Sequence, residues 1–377
     1  MNRTTLYYAT NRGHIGSNRW APDGYGPKPS NDGFENLRFG RAVLEVDGTN
    51  IATFLGKDCG FGQGDGEGLT AYFKDRIADL KIEAFEETLD DSRPDEKQAA
   101  KRFGSTRTFN ELRQQMAKSQ DVLIFIHGFN VSWEDAVTSA LALQETLNAG
   151  ASDKGVLVVL FSWPSDGLAL PYVSYKSDRS DAELSGYAFG RGMLRLRDYL
   201  AKLRTRNNRG NVACEQELHL LCHSMGNYVL QNTLRRIAEF NDGDVLPRIF
   251  DHIFLCAPDV DDDVFDPGAP LSTLPQLARS VSLYHNQGDV AMYVSDYTKG
   301  NPERLGLAGA ARPSLLHNKI HQIDCSTIVT GFVEHSYYLC GRVNEDIRQS
   351  VMGVAQDDRK RNRALRGNAW PNVWVMR

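Results

Sequence analysis

One serine stands at the join between two different sequence patterns, in LHLLCHSMGNYVLQ at residues 218–231. The first half is a continuous apolar run typical of a buried strand, and the second half has the apolar spacing of a helix. A tight turn from strand to helix strains the residue at its apex and lifts that side chain clear of the backbone. Ser224 occupies the apex, with the small residues Cys222 and Gly226 on either side. The pattern therefore predicts a serine that is presented for nucleophilic attack.

A serine hydroxyl becomes a nucleophile when a base removes its proton. Where the serine sits on such a turn, an acid and then a histidine follow it in the chain. We predict that His335, in GFVEHSYYL after the last apolar run, is the base. His321 and His317 are alternatives, but they lie within and before a predicted strand, away from the strand ends where such a site forms. His223 is expected to be structural, because adjacent residues in a tight turn point in different directions.

Two strand ends offer an acid to orient this histidine. Asp289 lies just past the strand predicted at 280–287, in a Gly-Asp turn, and we predict that it is the acid. Asp259 and Asp261, in CAPDVDDDVF, are the alternatives. One imidazole needs a single carboxylate partner, so the other aspartates would serve in turns or as helix caps.

The oxyanion formed by attack on a carbonyl needs hydrogen-bond donors aimed at it. The backbone N–H of Met225, just after the serine at a helix N-terminus, is predicted as one donor. The N–H of Phe129 is predicted as the second, in the segment FIHGFN, where Gly128 allows a close approach of the backbone.

Side chains from several strand ends must be brought together by a sheet. Apolar runs closed by turn residues alternate with helical patterns, which is typical of a parallel sheet buried on both faces. Residues 132–150 and 225–240 are predicted crossover helices, and residues 4–10 and 37–48 are predicted antiparallel lead-in strands. We therefore expect an α/β fold with a mostly parallel central sheet of about eight strands and helices on both faces. The six apolar runs are residues 121–130, 155–165, 217–226, 249–259, 280–289 and 319–328.

The same patterns divide the chain into four parts. Residues 1–56 contain the lead-in strands, and residues 57–117, which are Gly-rich and charged, are predicted to be a surface insertion with helices. Residues 118–350 form the predicted catalytic core. Residues 351–377 are predicted to be a polar, basic C-terminal tail that is solvated.

Composition narrows the class of protein. The chain has 377 residues, of which 41% are hydrophobic, and a net charge of -5. No block of five or six like charges occurs, so no nucleic-acid partner is predicted. The start lacks an apolar signal segment and no window is long and apolar enough to span a membrane, so a cytoplasmic protein is expected. Six scattered cysteines form no CxxC pair and no HExxH occurs, so no disulfide framework, metal or cofactor is predicted.

Seven motifs along the chain resemble a large, mainly bacterial branch of the α/β-hydrolase superfamily that is classed as a domain of unknown function. The resemblance spans nearly the whole chain apart from residues 57–117, and it implies a serine-hydrolase fold. Cys222 stands where that superfamily usually has the first glycine of G-x-S-x-G, a position that needs a small residue. The motifs are ATNR (9–12), LRFGRA (37–42), FIHGFN (125–130), FSWPSDG (161–167), CHSMGN (222–227), APDVDDDVF (257–265) and EHSYY (334–338).

These features predict an esterase-like serine hydrolase that cleaves small or medium carboxylic esters or thioesters through an acyl-enzyme. An acyltransferase or thioesterase on the same residues is an alternative, and so is a non-catalytic α/β-hydrolase used as a binding module. The segment 162–181 holds Trp163, Tyr172 and Tyr175, which suit either an acyl pocket or ordinary packing. The sequence leaves the oligomeric state open.

Overall fold

The computed structural model describes residues 2–87, 104–118, 120–151, 155–165, 171–207, 216–240, 246, 248–292, 303–330, 335–367 and 370–377. The strands within these ranges are β1 (Asn2–Thr10), β2 (Arg12–Ile15), β3 (Gly24–Pro29), β4 (Arg38–Val46), β5 (Lys81–Phe85), β6 (Gln120–Ile126), β7 (Gly155–Ser162), β8 (Leu218–His223), β9 (Phe250–Cys256), β10 (Ala278–His285), β11 (Ile320–Asp324), β12 (Arg363–Leu365) and β13 (Val373–Met376). The helices are α1 (Gly48–Gly56), α2 (Gly66–Lys74), α3 (Gly104–Met116), α4 (Trp133–Leu147), α5 (Pro171–Asn207), α6 (Gly226–Phe240), α7 (Leu274–Leu277), α8 (Leu305–Ala308) and α9 (Gly341–Val351).

One sheet organises the molecule. Among the described residues it has eleven strands in the order β12-β13-β11-β10-β9-β8-β6-β7-β1-β4-β5. Neighbouring strands from β13 to β1 are parallel, and the pairs at the two edges are antiparallel. The predicted α/β fold with a mostly parallel sheet is therefore confirmed, with more strands than the expected eight or so. In parallel strands the carboxyl ends lie along one edge, which is where loop side chains can converge.

Both faces of the sheet are covered, which explains why the central strands are apolar along their length. Leu221 and Phe254 belong to a core on one face, together with buried residues of α4 and α9. Leu220 and Ile253, their sequence neighbours, belong to a second core with buried residues of α5 and α6. This alternation follows from the two-residue period of a strand.

The segment 57–117 was predicted to be a surface insertion with helices. It also contributes a strand to the sheet and side chains to the core. Strand β5 extends the sheet by pairing antiparallel with β4, with Phe39 opposite Phe85. Helix α2 buries Leu69 and Phe73 in the core below α4. The charged residues of this segment concealed a short strand of only five residues, Lys81–Phe85.

The prediction that residues 351–377 form a solvated tail is wrong. Strand β13 pairs in parallel with β11, and β12 returns antiparallel to it. Arg361 and Arg363 are buried against Asp346, and the Arg361 Nε atom lies 2.7 Å from the Asp346 Oδ1 atom. A buried carboxylate compensates these cations, and sequence alone does not reveal such a distant partner. Within the described ranges, no helix is both long and apolar enough to cross a membrane.

Candidate active site

Ser224 forms a strained turn between β8 and α6. It has a left-handed backbone with φ of 52°, which is unfavourable for a residue with a Cβ atom. The Ser224 N–H donates to the Cys256 carbonyl at 2.9 Å, and the Ser224 carbonyl accepts from the Asp259 N–H at 3.1 Å. Hydrogen bonds on both sides therefore hold the serine in its strained conformation.

Two glycines allow the turn to pack against the end of β6. A Cβ atom on Gly226 would lie 2.6 Å from the Ile126 carbonyl oxygen, and one on Gly128 would lie 2.8 Å from the Ser224 Cβ atom. Cys222 is tolerated where a glycine is usual because its side chain lies in the buried core between β8 and the helices above it. The CHSMG segment therefore meets the steric requirement of a nucleophile turn.

His335 and Asp289 form a hydrogen-bonded pair. The His335 Nδ1 atom lies 2.7 Å from the Asp289 Oδ2 atom. The histidine side chain is 21% exposed, whereas the aspartate side chain is 1% exposed. The other carboxylate oxygen of Asp289 accepts from the Met292 N–H at 3.2 Å, which fixes its orientation. With Nδ1–H donated to the carboxylate, the Nε2 atom of a neutral His335 keeps its lone pair for a proton.

His223 ties the nucleophile turn to the segment that carries His335. Its Nε2 atom lies 3.1 Å from the His335 carbonyl oxygen, so Nε2 carries the hydrogen and donates. The two rings are 4.6 Å apart between centroids. Burial, and then the electrostatic interaction with His335, hold the pKa of His223 well below its usual value. His223 is therefore neutral, and its Nε2–H is used in a hydrogen bond that connects two backbone segments of the site.

The alternative acids are bound to other partners. Asp259 is buried and accepts from the Tyr175 hydroxyl at 2.9 Å. The Arg304 Nε atom lies 3.6 Å from Asp259, and Nη1 of the same guanidinium is hydrogen-bonded to Asp261. These contacts leave Asp289 as the carboxylate against His335, whereas Asp259 and Asp261 balance a buried arginine.

The alternative histidines lie away from the serine. His321 is on β11 near the strand's amino end, and burial lowers its pKa to about 4. His317 is exposed before that strand, and its Nδ1 atom accepts from the Lys319 N–H. Neither histidine is brought to the carboxyl edge of the sheet.

The two predicted oxyanion donors lie on either side of the serine turn. Met225 follows Ser224 directly and is fully buried, and Phe129 follows Gly128, which packs against Ser224. Among the described residues, neither the Met225 N–H nor the Phe129 N–H has a hydrogen-bond acceptor. Neither amide is therefore committed to an acceptor within the described part of the chain.

The Gly128–Phe129 peptide is held in place by His127, a residue to which the sequence analysis assigned no role. The Trp163 N–H can only donate, so the His127 Nε2 atom 3.2 Å away accepts and Nδ1 carries the hydrogen. Nδ1–H then donates to the Gly128 carbonyl at 2.9 Å. The carbonyl and the N–H of one trans peptide point in opposite directions. Holding the Gly128 carbonyl on one side therefore turns the Phe129 N–H to the other side.

Arg12 fixes this loop from below. It is buried, and its guanidinium donates to the Val131 carbonyl at 2.7 Å and to the Ser162 hydroxyl at 2.9 Å. Burial and the Arg12 charge lower the pKa of His127 to about 3, so the imidazole is neutral. The ATNR and FSWPSDG motifs contain Arg12 and Ser162, so the motifs were visible in the sequence although the roles of these residues were not.

The predicted aromatic pocket residues have different environments. Trp163 is fully buried and stacks on His127 with ring centroids 5.2 Å apart, so it packs beneath the loop. Tyr175 places its ring edge against Phe129 at 5.5 Å and its hydroxyl on Asp259. Tyr172 is in the first turn of α5, and its side chain lies outside the described residues.

A mostly parallel sheet with helices on both faces and a strained serine between a central strand and its helix defines the class of α/β hydrolases. The chain belongs to the family described as alpha/beta hydrolase of unknown function (DUF900), whose model matches residues 104–351, more than half of the chain. The predicted resemblance is therefore confirmed. No curated protein and no solved structure gives a significant match to this chain.

Proposed function

We propose that this α/β hydrolase is a serine esterase in which Ser224 is the nucleophile, His335 the base and Asp289 the acid. The observation that carries the proposal is the 2.7 Å hydrogen bond between His335 and Asp289. The strained conformation of Ser224, with φ of 52°, supports it as well.

In the first step, the Ser224 hydroxyl attacks the ester carbonyl and gives its proton to the Nε2 atom of His335. Asp289 keeps the Nδ1 atom of His335 protonated and stabilises the imidazolium that forms. Because His335 accepts this proton only when it is neutral, activity should fall on acidification.

The negative charge that develops on the carbonyl oxygen is stabilised by the N–H groups of Met225 and Phe129. Collapse of the tetrahedral intermediate expels the alcohol, which takes the proton from His335, and leaves the acyl group on Ser224. Water then releases the acid by the same steps in reverse. A thioester can follow the same path with a thiol as the leaving group.

We further propose that the substrate is a small or medium-sized soluble ester. The support is that no long apolar segment, such as the lid of an interfacial lipase, occurs between the predicted strands after Ser224. A panel of p-nitrophenyl esters of increasing chain length, with a matched thioester series, should give the highest kcat/KM for short acyl chains. A maximum at long chains would contradict this substrate class.

A fluorophosphonate probe separates catalysis from binding without knowledge of the substrate. An activated serine forms a covalent adduct with the probe, whereas the serine of a binding module does not. We expect one adduct on Ser224 in the wild-type protein, identified by peptide mass spectrometry, and none in Ser224→Ala. His321→Ala is the control because this histidine lies away from the site, and it should label like the wild type.

A further inference from the structure

A second group of polar side chains lies at the amino end of the central strands, opposite Ser224. His219 on β8 and His252 on β9 are directly paired in the parallel register, and their rings stack with centroids 5.4 Å apart. Glu217 immediately precedes β8. One ligand atom from each of these three residues can be chosen so that all lie within 4.8 Å of one another.

The histidines of this group lack the partners that buried polar groups normally have. His219 is fully buried, yet neither of its ring nitrogens has a hydrogen-bond partner among the described residues. The Nδ1 atom of His252 is also buried without a partner there. Buried polar atoms are nearly always satisfied, by protein, water or an ion. One nitrogen from each of the two rings can therefore be satisfied by a ligand bound between them.

The surrounding charges favour a cation as that ligand. Asp121 is buried, and its Oδ2 atom lies 3.9 Å from the His219 Nε2 atom. Asp121 and Asp251 both act electrostatically on Glu217. Two arginines, Arg361 and Arg279, oppose a cation by acting electrostatically on His252. Arg361 is paired with the buried Asp346, and Arg279 is 65% exposed with its Nη1 atom 3.8 Å from Glu217. The group contains one carboxylate and has two more nearby, so a cation that neutralises their repulsion stabilises it.

We propose that Glu217, His219 and His252 form a binding site for a divalent transition metal, with zinc as the best match. Two imidazoles and a carboxylate are ligands that zinc accepts, with bonds of about 2.0 to 2.2 Å. The ligand atoms need to move together by roughly 1 Å to reach such bonds, which side-chain rotation supplies. Asp121 is placed to orient His219 or to complete the coordination.

This metal would join two central strands of the sheet, and its role would be structural. Ser224 lies five residues after His219 along β8, which corresponds to about 16 Å for a strand. The site is therefore separate from the proposed esterase residues. Sequence spacing did not indicate it, because its two histidines come from different strands and match no ligand motif.

The test is metal binding by untagged, metal-stripped protein in equilibrium dialysis against zinc, with elemental analysis of the protein. We expect about one equivalent in the wild type and at least tenfold weaker binding in His219→Gln and His252→Gln. His321→Gln is the matched control, because His321 is a partly buried sheet histidine with an unpaired Nδ1 atom outside the group. It should bind like the wild type. No zinc on the wild type, or wild-type affinity in both ligand variants, would overturn the proposal.

A third variant, Glu217→Gln, distinguishes loss of a ligand from loss of the fold. The Glu217 side chain is 30% exposed, so its replacement is tolerated more easily than that of a buried histidine. Glu217→Gln should remain folded by circular dichroism and bind zinc at least tenfold more weakly. Cobalt should give a visible ligand-field spectrum with the wild type that changes in Glu217→Gln. An unchanged spectrum and affinity in this variant would refute the ligand set.

Discussion

Two buried histidines, at opposite ends of the adjacent strands β6 and β8, differ in whether their ring nitrogens are hydrogen-bonded. At the carboxyl end, the ring of His127 just after β6 has both nitrogens hydrogen-bonded, and these bonds orient the loop beside Ser224. At the amino end, both nitrogens of His219 on β8 are buried without partners among the described residues. Both imidazoles are desolvated, but only one is compensated by the protein itself.

The difference shows how burial serves two purposes in one fold. A fully hydrogen-bonded buried network is rigid and holds a backbone peptide in one orientation, which suits a site that must be prearranged for a transition state. Buried imidazole nitrogens without partners instead favour the binding of an ion that they can coordinate. The comparison therefore predicts that the two ends respond to different perturbations.

The largest effect should come from the proposed nucleophile and base. Ser224→Ala and His335→Ala should each lower kcat on a short p-nitrophenyl ester by about 10⁴-fold or more, because the acyl-enzyme no longer forms. Both variants should bind zinc like the wild type. The converse measurement is fluorophosphonate labelling of His219→Gln, which should persist if that variant is folded. Full activity in His335→Ala would contradict the proposed mechanism.

The next largest effect on kcat should come from replacing the proposed acid, and replacement of the alternative acid provides the comparison. Asp289→Asn should lower kcat about 10⁴-fold, because the amide favours the wrong tautomer of His335. Asp259→Asn should instead lower the free energy of unfolding by about 1 to 3 kcal/mol, because Tyr175 and buried Arg304 lose their charged partner. Steady-state kinetics and urea unfolding of both variants test this division. A reversed result would transfer the role of the acid to Asp259.

Misalignment of one oxyanion donor should have a smaller effect than loss of the nucleophile. His127→Phe removes the hydrogen bond to the Gly128 carbonyl, so kcat should fall by about 10²- to 10³-fold with little change in KM. His127→Asn places an amide N–H near the former Nδ1 position and should recover most of this loss. Equal kcat losses in the two variants would mean that His127 only fills space.

The carboxyl end of the sheet was largely predictable because local rules determine it. A strained turn needs small residues around Ser224, and strand ends bring Asp289 and His335 to the same edge. Asp289 and His335 are 46 positions apart along the chain, and the strand order brings them within hydrogen-bond distance. The predicted strands themselves followed from long apolar runs.

The parts that sequence reasoning missed depend on partners that lie far away in the chain. Arg361 and Arg363 are typical of a solvated segment until Asp346 is known to lie beside them in the core. His219 and His252 appear as single histidines in apolar strands, and only the register of β8 on β9 pairs them. Pairwise compensation of buried charge has no signature in local spacing, so it emerges only from the fold.

The smallest effect concerns stability at low pH. The pKa of His127 is lowered to about 3 in the folded protein, whereas a histidine in an unfolded chain titrates near about 6.5. Between these values the unfolded state binds the additional proton, so this histidine destabilises the fold as the pH falls from about 6.5 toward 3. The contribution is at most about 1.4 kcal/mol per pH unit.

His127→Asn removes this titration, so its unfolding free energy should decline less steeply than that of the wild type in urea titrations between pH 7 and pH 4.5. Equal slopes of unfolding free energy against pH in the two proteins would show that His127 is protonated as readily in the folded state as in the unfolded one. That result would contradict the assignment of a neutral His127 that orients the Phe129 N–H.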